Sequence, residues 1–442
     1  MCMKEFDKII GYAAVKKELE QIADVLKNGD VYAKLGVSAP RGLLLHGAPG
    51  VGKTLMASCL IEASGLPHFV CRKNQPNGDF VKLIKETFAK AAARASQSTP
   101  AIVLLDDMDK FTNGDERRRD AEEYVTVQSC IDEVKGRNVF VLATANNIRT
   151  LPPSLLRAGR FDRVLEIETP VGKDAVEIIE HYIKGKPFAD DVDAENIARI
   201  MDGHSCAELE TVINEAGLYA GFQRADKITM DHFIEACLKT VFNVPTKMSS
   251  DNEDNWVDNL QNPSYQSTQI IYHEAGHAVV SEILNPNSVT LVSAYGRRYN
   301  SGGFTAYYKN REEMPLQRLQ KRIVGALGGK AATEQKFGIV DSGTGKDLNF
   351  AFNGTMNMIG AECICGFDLH ENGFEDSENL KSRREQATAI QVENYYRKAK
   401  EILSLNWDFL EKLAKELAEK KILNTADIQR IKSTCNIVSV NI

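Results

Sequence analysis

The chain has 442 residues, 43% of them hydrophobic, more than one core usually organises, which predicts two or three domains. Acidic residues outnumber basic ones 61 to 54, a formal net charge of -7, which argues against a nucleic-acid-binding surface as the main business. The N-terminus has no apolar stretch of signal-peptide length, and no window approaches the roughly 18 apolar residues that cross a bilayer; with nine cysteines read as reduced thiols, a soluble, cytoplasmic protein is expected.

Residues 1–188 alternate short apolar runs with helical patterns: RGLLLHG, a helix from Lys53, then AIVLLDD and NVFVLATA. Continuous apolar strands between helices indicate a parallel sheet covered on both faces, an α/β domain. Within it GAPGVGKT, residues 47–54, follows a strand and opens a helix. In that context the loop carrying Gly47, Pro49, Gly50 and Gly52 can wrap phosphate oxygens with backbone N–H groups, Lys53 can reach the outer phosphates, and the Thr54 hydroxyl can bind Mg²⁺. The later strand IVLLDDMDK ends in acids, with Asp106 expected to hold Mg²⁺ through water and Asp107 to polarise the attacking water. The run Arg117, Arg118 and Arg119 reads as a solvated loop, and Arg160 and Arg163 in LLRAGRFDR read, by themselves, as surface charge.

Residues 189–242 lose the strands and become helical throughout, as in DAENIARIMDG and CAELETVINEAGLYAGFQ. Residues 243–268 are polar, contain two prolines and lack periodicity, the composition of a linker. Residues 269–442 are mainly helical, with β segments at VTLVSAY and GGFTAYYK. HEAGH at 273–277 puts His273 and His277 on one helical face, since residues four apart stand one above the other. With a third ligand and an open position the pair would hold Zn²⁺, and Glu274 would act as general base; a core helix with two satisfied histidines explains the bare motif equally well.

The first module resembles AAA+ ATPases, with the sheet, the helices on both faces and a small helical lid that this implies. The resemblance gives Asn146 the place of the sensor asparagine and Arg160 and Arg163 those of arginine fingers, and it implies a ring, a homo-hexamer with ATP at subunit interfaces. HEAGH behind such a module resembles the FtsH family of ATP-dependent zinc proteases. The family's third ligand falls in DSGTGKDL on Asp347, with Gly343 keeping the family glycine. FDKIIGYAAVKKELE looks like the entry segment, with Ile10 and Gly11 near adenine, and GHSCAEL looks like the second-sensor region. ALGGKAATEQKFG resembles the GGRAAEE helix, and GGFTAYY the strand along which substrate lies, so Gly303, Phe304 and Thr305 are expected to pair with a peptide backbone. Protein and peptide chains are the implied partners.

Four departures stand out. Asp107 replaces the family's glutamate and is one methylene shorter, which predicts slow ATP hydrolysis. CRKNQPNGDFVKLIKETF lacks the aromatic-hydrophobic-glycine pore triplet; Phe80 and Val81 are stand-ins for it, or else the buried face of a helix. Thr333 and Lys330 replace an acid and an arginine, a change of packing. The chain also opens on the ATPase, where the family carries membrane-spanning segments. Two other readings remain: an ATP-fuelled remodelling or scaffold protein with structural zinc, and a metallopeptidase that uses ATP for assembly or gating.

Overall fold

The computed structural model describes residues 4–36, 39–73, 79–96, 99–112, 121–244, 265–296, 302–308, 315–339, 342–371 and 376–442. The arginine run at 117–119, residues 74–78 of the stretch compared with the pore loop, and most of the expected linker lie outside them. The chain forms two compact units, Met1–Asp190 with Gly203–Ile228, and Asp191–Asp202 with Thr229–Ile442. The helical segment read at 189–242 thus contributes to both.

In chain order the elements up to residue 244 are α1 (Ala13–Lys27), α2 (Gly29–Ala33), β1 (Gly42–His46), α3 (Lys53–Ser64), β2 (His68–Arg72), α4 (Phe80–Arg94), β3 (Ala101–Asp106), α5 (Glu122–Glu133), β4 (Val139–Ala145), β5 (Arg163–Glu166), α6 (Gly172–Ile183), α7 (Ala194–Ile200), α8 (Cys206–Phe222) and α9 (Met230–Thr240). The five strands form one parallel sheet in the order β2-β3-β4-β1-β5. Leu43, Leu44 and Leu45 are 0% exposed, because helices cover both faces, and this is why the strand is apolar throughout instead of alternating. Ile84, Phe88 and Ala91 of α4, with Tyr124, Val127 and Ile131 of α5, pack onto Val103, Leu105, Val141 and Ala143 of the sheet. With every strand parallel, the segments that follow β1, β3 and β4 open on the same edge, where ligands of such sheets bind.

Phe80 belongs to this core. The Asp79 side chain caps α4 by accepting from the Lys82 N–H at 3.0 Å. The next side chain turns inward: Phe80 is 6% exposed and meets Phe111 edge-on, ring centroids 4.7 Å apart. As a pore-loop candidate it is corrected to a core residue; Val81 is half-buried.

The elements from residue 265 are α10 (Tyr265–Leu284), β6 (Val289–Ser293), β7 (Phe304–Tyr307), α11 (Pro315–Phe337), α12 (Gly345–Gly360), α13 (Glu378–Leu405), α14 (Trp407–Lys420), β8 (Ile422–Asn424) and α15 (Thr425–Ser433). No helix among the described residues is long and apolar enough to cross a membrane. The centre of this unit is the pair α10 and α11. A Cβ at Gly276 would stand 2.4 Å from the Gly328 carbonyl oxygen, and one at Gly328 would stand 2.6 Å from that of Gly276. The two backbones are in direct contact, and Val279, Val280, Val324, Leu327 and Ala331 close the core around them. The Glu282 carboxylate, fully buried, accepts from the backbone N–H groups of Asn287 at 3.0 Å and Val289 at 2.9 Å, which fixes the turn from α10 into β6. β6 is the middle strand of an antiparallel sheet ordered β7-β6-β8.

Gly276→Ala is therefore expected to destabilise this unit by about 1–3 kcal/mol through overpacking. Urea denaturation should show the lower midpoint, whereas Gly345→Ala, whose Cβ meets nothing within 4 Å, should leave it in place. Equal midpoints for both variants would show that the glycine contact does not hold the helices together.

Candidate functional site

The loop after β1 is shaped by its glycines. Gly47 lies at φ +150°, and a Cβ there would stand 2.0 Å from the Ile167 carbonyl oxygen; at Gly50 one would stand 2.8 Å from the Ala207 side chain. The loop is thus pressed between β5's continuation and the start of α8. The Lys53 ammonium donates to the carbonyls of Gly47 and Ala48, both at 2.8 Å, and to the Asn146 Oδ1 at 2.9 Å. Asn146 is in turn held by Asp109, which accepts from its N–H at 2.9 Å and its amide at 3.0 Å.

At the end of β3, Asp106 Oδ1 accepts from Thr54 at 3.2 Å and from Thr144 at 2.7 Å, while Oδ2 is ion-paired with Arg72. Burial would raise this carboxyl, but the hydrogen bonds from Thr144 and Arg72 outweigh it and hold it below the usual carboxylate range. Asp107 follows at φ +56°, a left-handed conformation that aspartate tolerates better than most residues. Its N–H donates to Thr144 Oγ1 at 2.8 Å and its Oδ2 accepts from Lys110 at 2.8 Å. Lys53, Thr54, Asp107, Lys110 and Asn146 border a cavity of about 530 Å³ that Ile10, Tyr12 and Pro49 also line, with Asp106 behind Thr54 and outside the lining. Gly11 is not among the lining residues; a Cβ there would meet the Asp174 backbone at 3.0 Å, and the neighbouring Tyr12 N–H donates to Asp174 at 2.8 Å.

The two arginines do not join this cavity. Arg160 donates to Asp132 Oδ2 at 2.8 Å and to the Ser154 carbonyl at 2.7 Å. Arg163 is exposed and pairs in register with Leu43, at the start of β1, so it lies on the sheet edge remote from the loop at 47–54.

The second site is built on α10, whose helical spacing stacks His273 and His277 with ring centroids 4.5 Å apart. Asp347, in the first turn of α12, joins them. The two Nε2 atoms are 3.0 Å apart, and Asp347 Oδ2 is 3.3 Å from His273 and 3.4 Å from His277. Donors on a tetrahedral ion with bonds of about 2.1 Å lie about 3.4 Å from one another, so two imidazoles and a carboxylate at these distances fit zinc. Gly329 keeps the space open: a Cβ there would stand 2.6 Å from the His277 Nε2. The His277 Nδ1–H donates to the Gly325 carbonyl at 3.0 Å, leaving the Nε2 lone pair for a metal. No other such group of three ligand side chains occurs among the described residues.

Glu274 is 5% exposed, and burial raises its carboxyl. Its Oε2 accepts from the Thr305 hydroxyl at 2.8 Å, and a Cβ at Gly303 would stand 2.6 Å from its Cγ. β7 thus runs directly past Glu274, as an edge strand paired only with β6 among the described residues. Phe304 points away and stacks on Phe242 at 4.8 Å.

Sequence reasoning missed Arg72, Lys110 and Thr144, which hold the two acids, and the Gly325 carbonyl, which orients His277. The only signal was adjacency: Lys110 lies three residues after Asp107, whereas Arg72 and Thr144 are brought in by strand register.

Residues 43–169 match the ATPase family associated with various cellular activities (AAA), residues 191–235 the AAA+ lid domain, and residues 262–431 peptidase family M41. The ATP-dependent zinc metalloprotease FtsH of Thermotoga maritima is 30% identical over 97% of this chain and 73% of that protein. Its namesake in Caldicellulosiruptor bescii is 30% identical over 96% and 71%, and that of Acaryochloris marina 28% over 97% and 68%.

Burial would lower the His277 imidazolium, but the Asp347 carboxylate beside it outweighs this and brings it up to about 9. The ring thus keeps its proton at neutral pH until zinc displaces it. Apparent zinc affinity of the metal-free protein, read by competition with a chromophoric chelator, should climb from pH 6 and level off near 9. A flat profile would contradict this account of the His277–Asp347 pair.

Proposed function

This chain belongs to the FtsH family of ATP-dependent zinc metalloproteases, and from that premise we propose a division of labour among its residues. His273, His277 and Asp347 hold Zn²⁺. When bound, zinc polarises the scissile carbonyl and makes water acidic enough to attack it. Glu274 accepts the proton of the attacking water at Oε1 and delivers it to the leaving amine, while Thr305 holds Oε2 (2.8 Å). Its raised pKa suits this role, since the carboxyl must carry the proton between the two steps. An extended substrate adds a strand to the open edge of β7, pairing with Gly303, Phe304 and Thr305, which brings its backbone alongside Glu274.

The loop at 47–54 would hold ATP, with Ile10 and Gly11 for the adenine and Lys53 for the outer phosphates, and Thr54 and Asp106 would hold Mg²⁺. Asp107 polarises the attacking water and Asn146 senses the γ-phosphate. Asp107 holds that water farther off than a glutamate would, so turnover is slow. Arg160 and Arg163, remote from their own cavity, serve a neighbour's nucleotide in a homo-hexameric ring. The substrates are unfolded or delivered protein chains.

The observation that carries this reading is a buried glutamate between two zinc-type histidines, held against an open strand edge. The burial of Phe80 favours one further reading, in which ATP sets assembly or gating and no aromatic grip pulls substrate.

Cleavage of an unfolded protein by the zinc-loaded enzyme should depend on ATP and fall about 10²–10⁴-fold in Glu274→Gln, the usual scale for removing a general base. Cleavage indifferent to ATP would point to an uncoupled peptidase, and full activity in Glu274→Gln would remove it as the base. Asp107→Glu should raise ATP turnover; a rate that stays level or drops would refute the explanation by side-chain length.

A further inference from the structure

The acid at the end of β3 already carries a cation of its own chain. Arg72, the last residue of β2, stands opposite Asp106 in the ladder between β2 and β3, so strand register gives its guanidinium a fixed address. Asp106 is 1% exposed. Its Oδ1 is shared by the hydroxyls of Thr54 and Thr144, and its Oδ2 by Arg72. Asp107 next door is ion-paired with a different cation, Lys110 at 2.8 Å, so the direct ion pair of Arg72 is with Asp106. The Arg72 side chain is half exposed, and one end of the ion pair is thus free to leave.

A buried carboxylate has one unit of charge to share. Its bond to a guanidinium is charge-assisted and strong. A divalent ion arriving between Thr54 and Asp106 meets a partner whose charge is largely neutralised, with the positive charge that neutralises it a few ångströms away.

Resting on the reading of Asp106 as a Mg²⁺ residue, we infer that Arg72 competes with Mg²⁺ for Asp106 and so sets the metal concentration at which the chain engages nucleotide. Arg72 is then a positioning residue for the nucleotide site. While the guanidinium holds Oδ2, Asp106 offers an ion a carboxylate whose charge is already partly neutralised, which raises the Mg²⁺ requirement above what Thr54 and Asp106 alone would impose.

The test is a Mg²⁺ titration of fluorescent ADP binding to the full chain, which reads metal engagement without hydrolysis. Arg72→Ala should lower the half-saturating Mg²⁺ concentration about tenfold, the scale of one hydrogen bond to a charged group. Arg72→Lys, which keeps the charge but loses the planar fork, should fall between Arg72→Ala and the parent chain. Asp106→Asn is the control. If it leaves the Mg²⁺ dependence unchanged, Asp106 is not the metal residue and the inference falls with that reading. If it abolishes the dependence while Arg72→Ala titrates like the parent chain, the reading of Asp106 stands and the competition is refuted. A lowered Tm in Arg72→Ala with an unmoved Mg²⁺ midpoint has the same meaning, since the ion pair would then only brace the sheet. Should Arg72→Ala not fold, Arg72→Gln retains hydrogen-bond donors without the charge; a lowered midpoint supports the competition and an unchanged one overturns it.

Discussion

The metal-binding half of this chain depends on one contact, the backbone-to-backbone approach of α10 and α11 at Gly276 and Gly328. Because no side chain separates the helices there, the Gly325 carbonyl comes within 3.0 Å of His277 Nδ1, and Gly329 leaves room in front of both imidazoles. A larger residue at any of these positions would push the helices apart, and the ring would lose the acceptor that sets its tautomer. Two histidines on one face of a helix are only a spacing; the neighbouring helix turns them into a ligand pair with Nε2 atoms presented together.

The same economy governs Glu274. It lies on the helix that supplies the histidines, yet its partner comes from β7, where Thr305 donates to it and Gly303 passes against its side chain. The proposed proton carrier and the proposed substrate edge are thereby parts of one contact. Phe304, between them in sequence, alternates to the other face and stacks on Phe242, as the two-residue period of a strand requires.

In the nucleotide-binding half, strand order does what helix packing does in the other. Placing β1 between β4 and β5, with β3 beyond β4, brings Lys53, Asp106 and Asn146 to one edge although they are distant in sequence. A single hydroxyl, that of Thr144, donates to Asp106 and accepts from the Asp107 N–H, so the two acids are held as a unit. Their charges are met by Arg72 and Lys110, which gives this site an internal cation balance that neither acid discloses alone.

Much of this was legible in the sequence. Unbroken apolar runs such as LLLH and IVLL signalled strands buried on both faces, the glycine-rich loop before a helix signalled phosphate, and the spacing of HEAGH placed two imidazoles on one face, all because these are properties of neighbours along a chain. Asp347 was reached by resemblance alone, since nothing local distinguishes it from the many other acids. Phe80 is open between core and pore in the sequence because an aromatic residue followed by an apolar one serves either, and the Asp79 cap and the Phe111 ring show it in the core. Arg72, Thr144 and the Gly325 carbonyl were invisible. Local periodicity determined which elements form and which faces they bury, whereas tertiary structure decided which distant groups meet, because strand register and helix contact join residues that no local pattern relates.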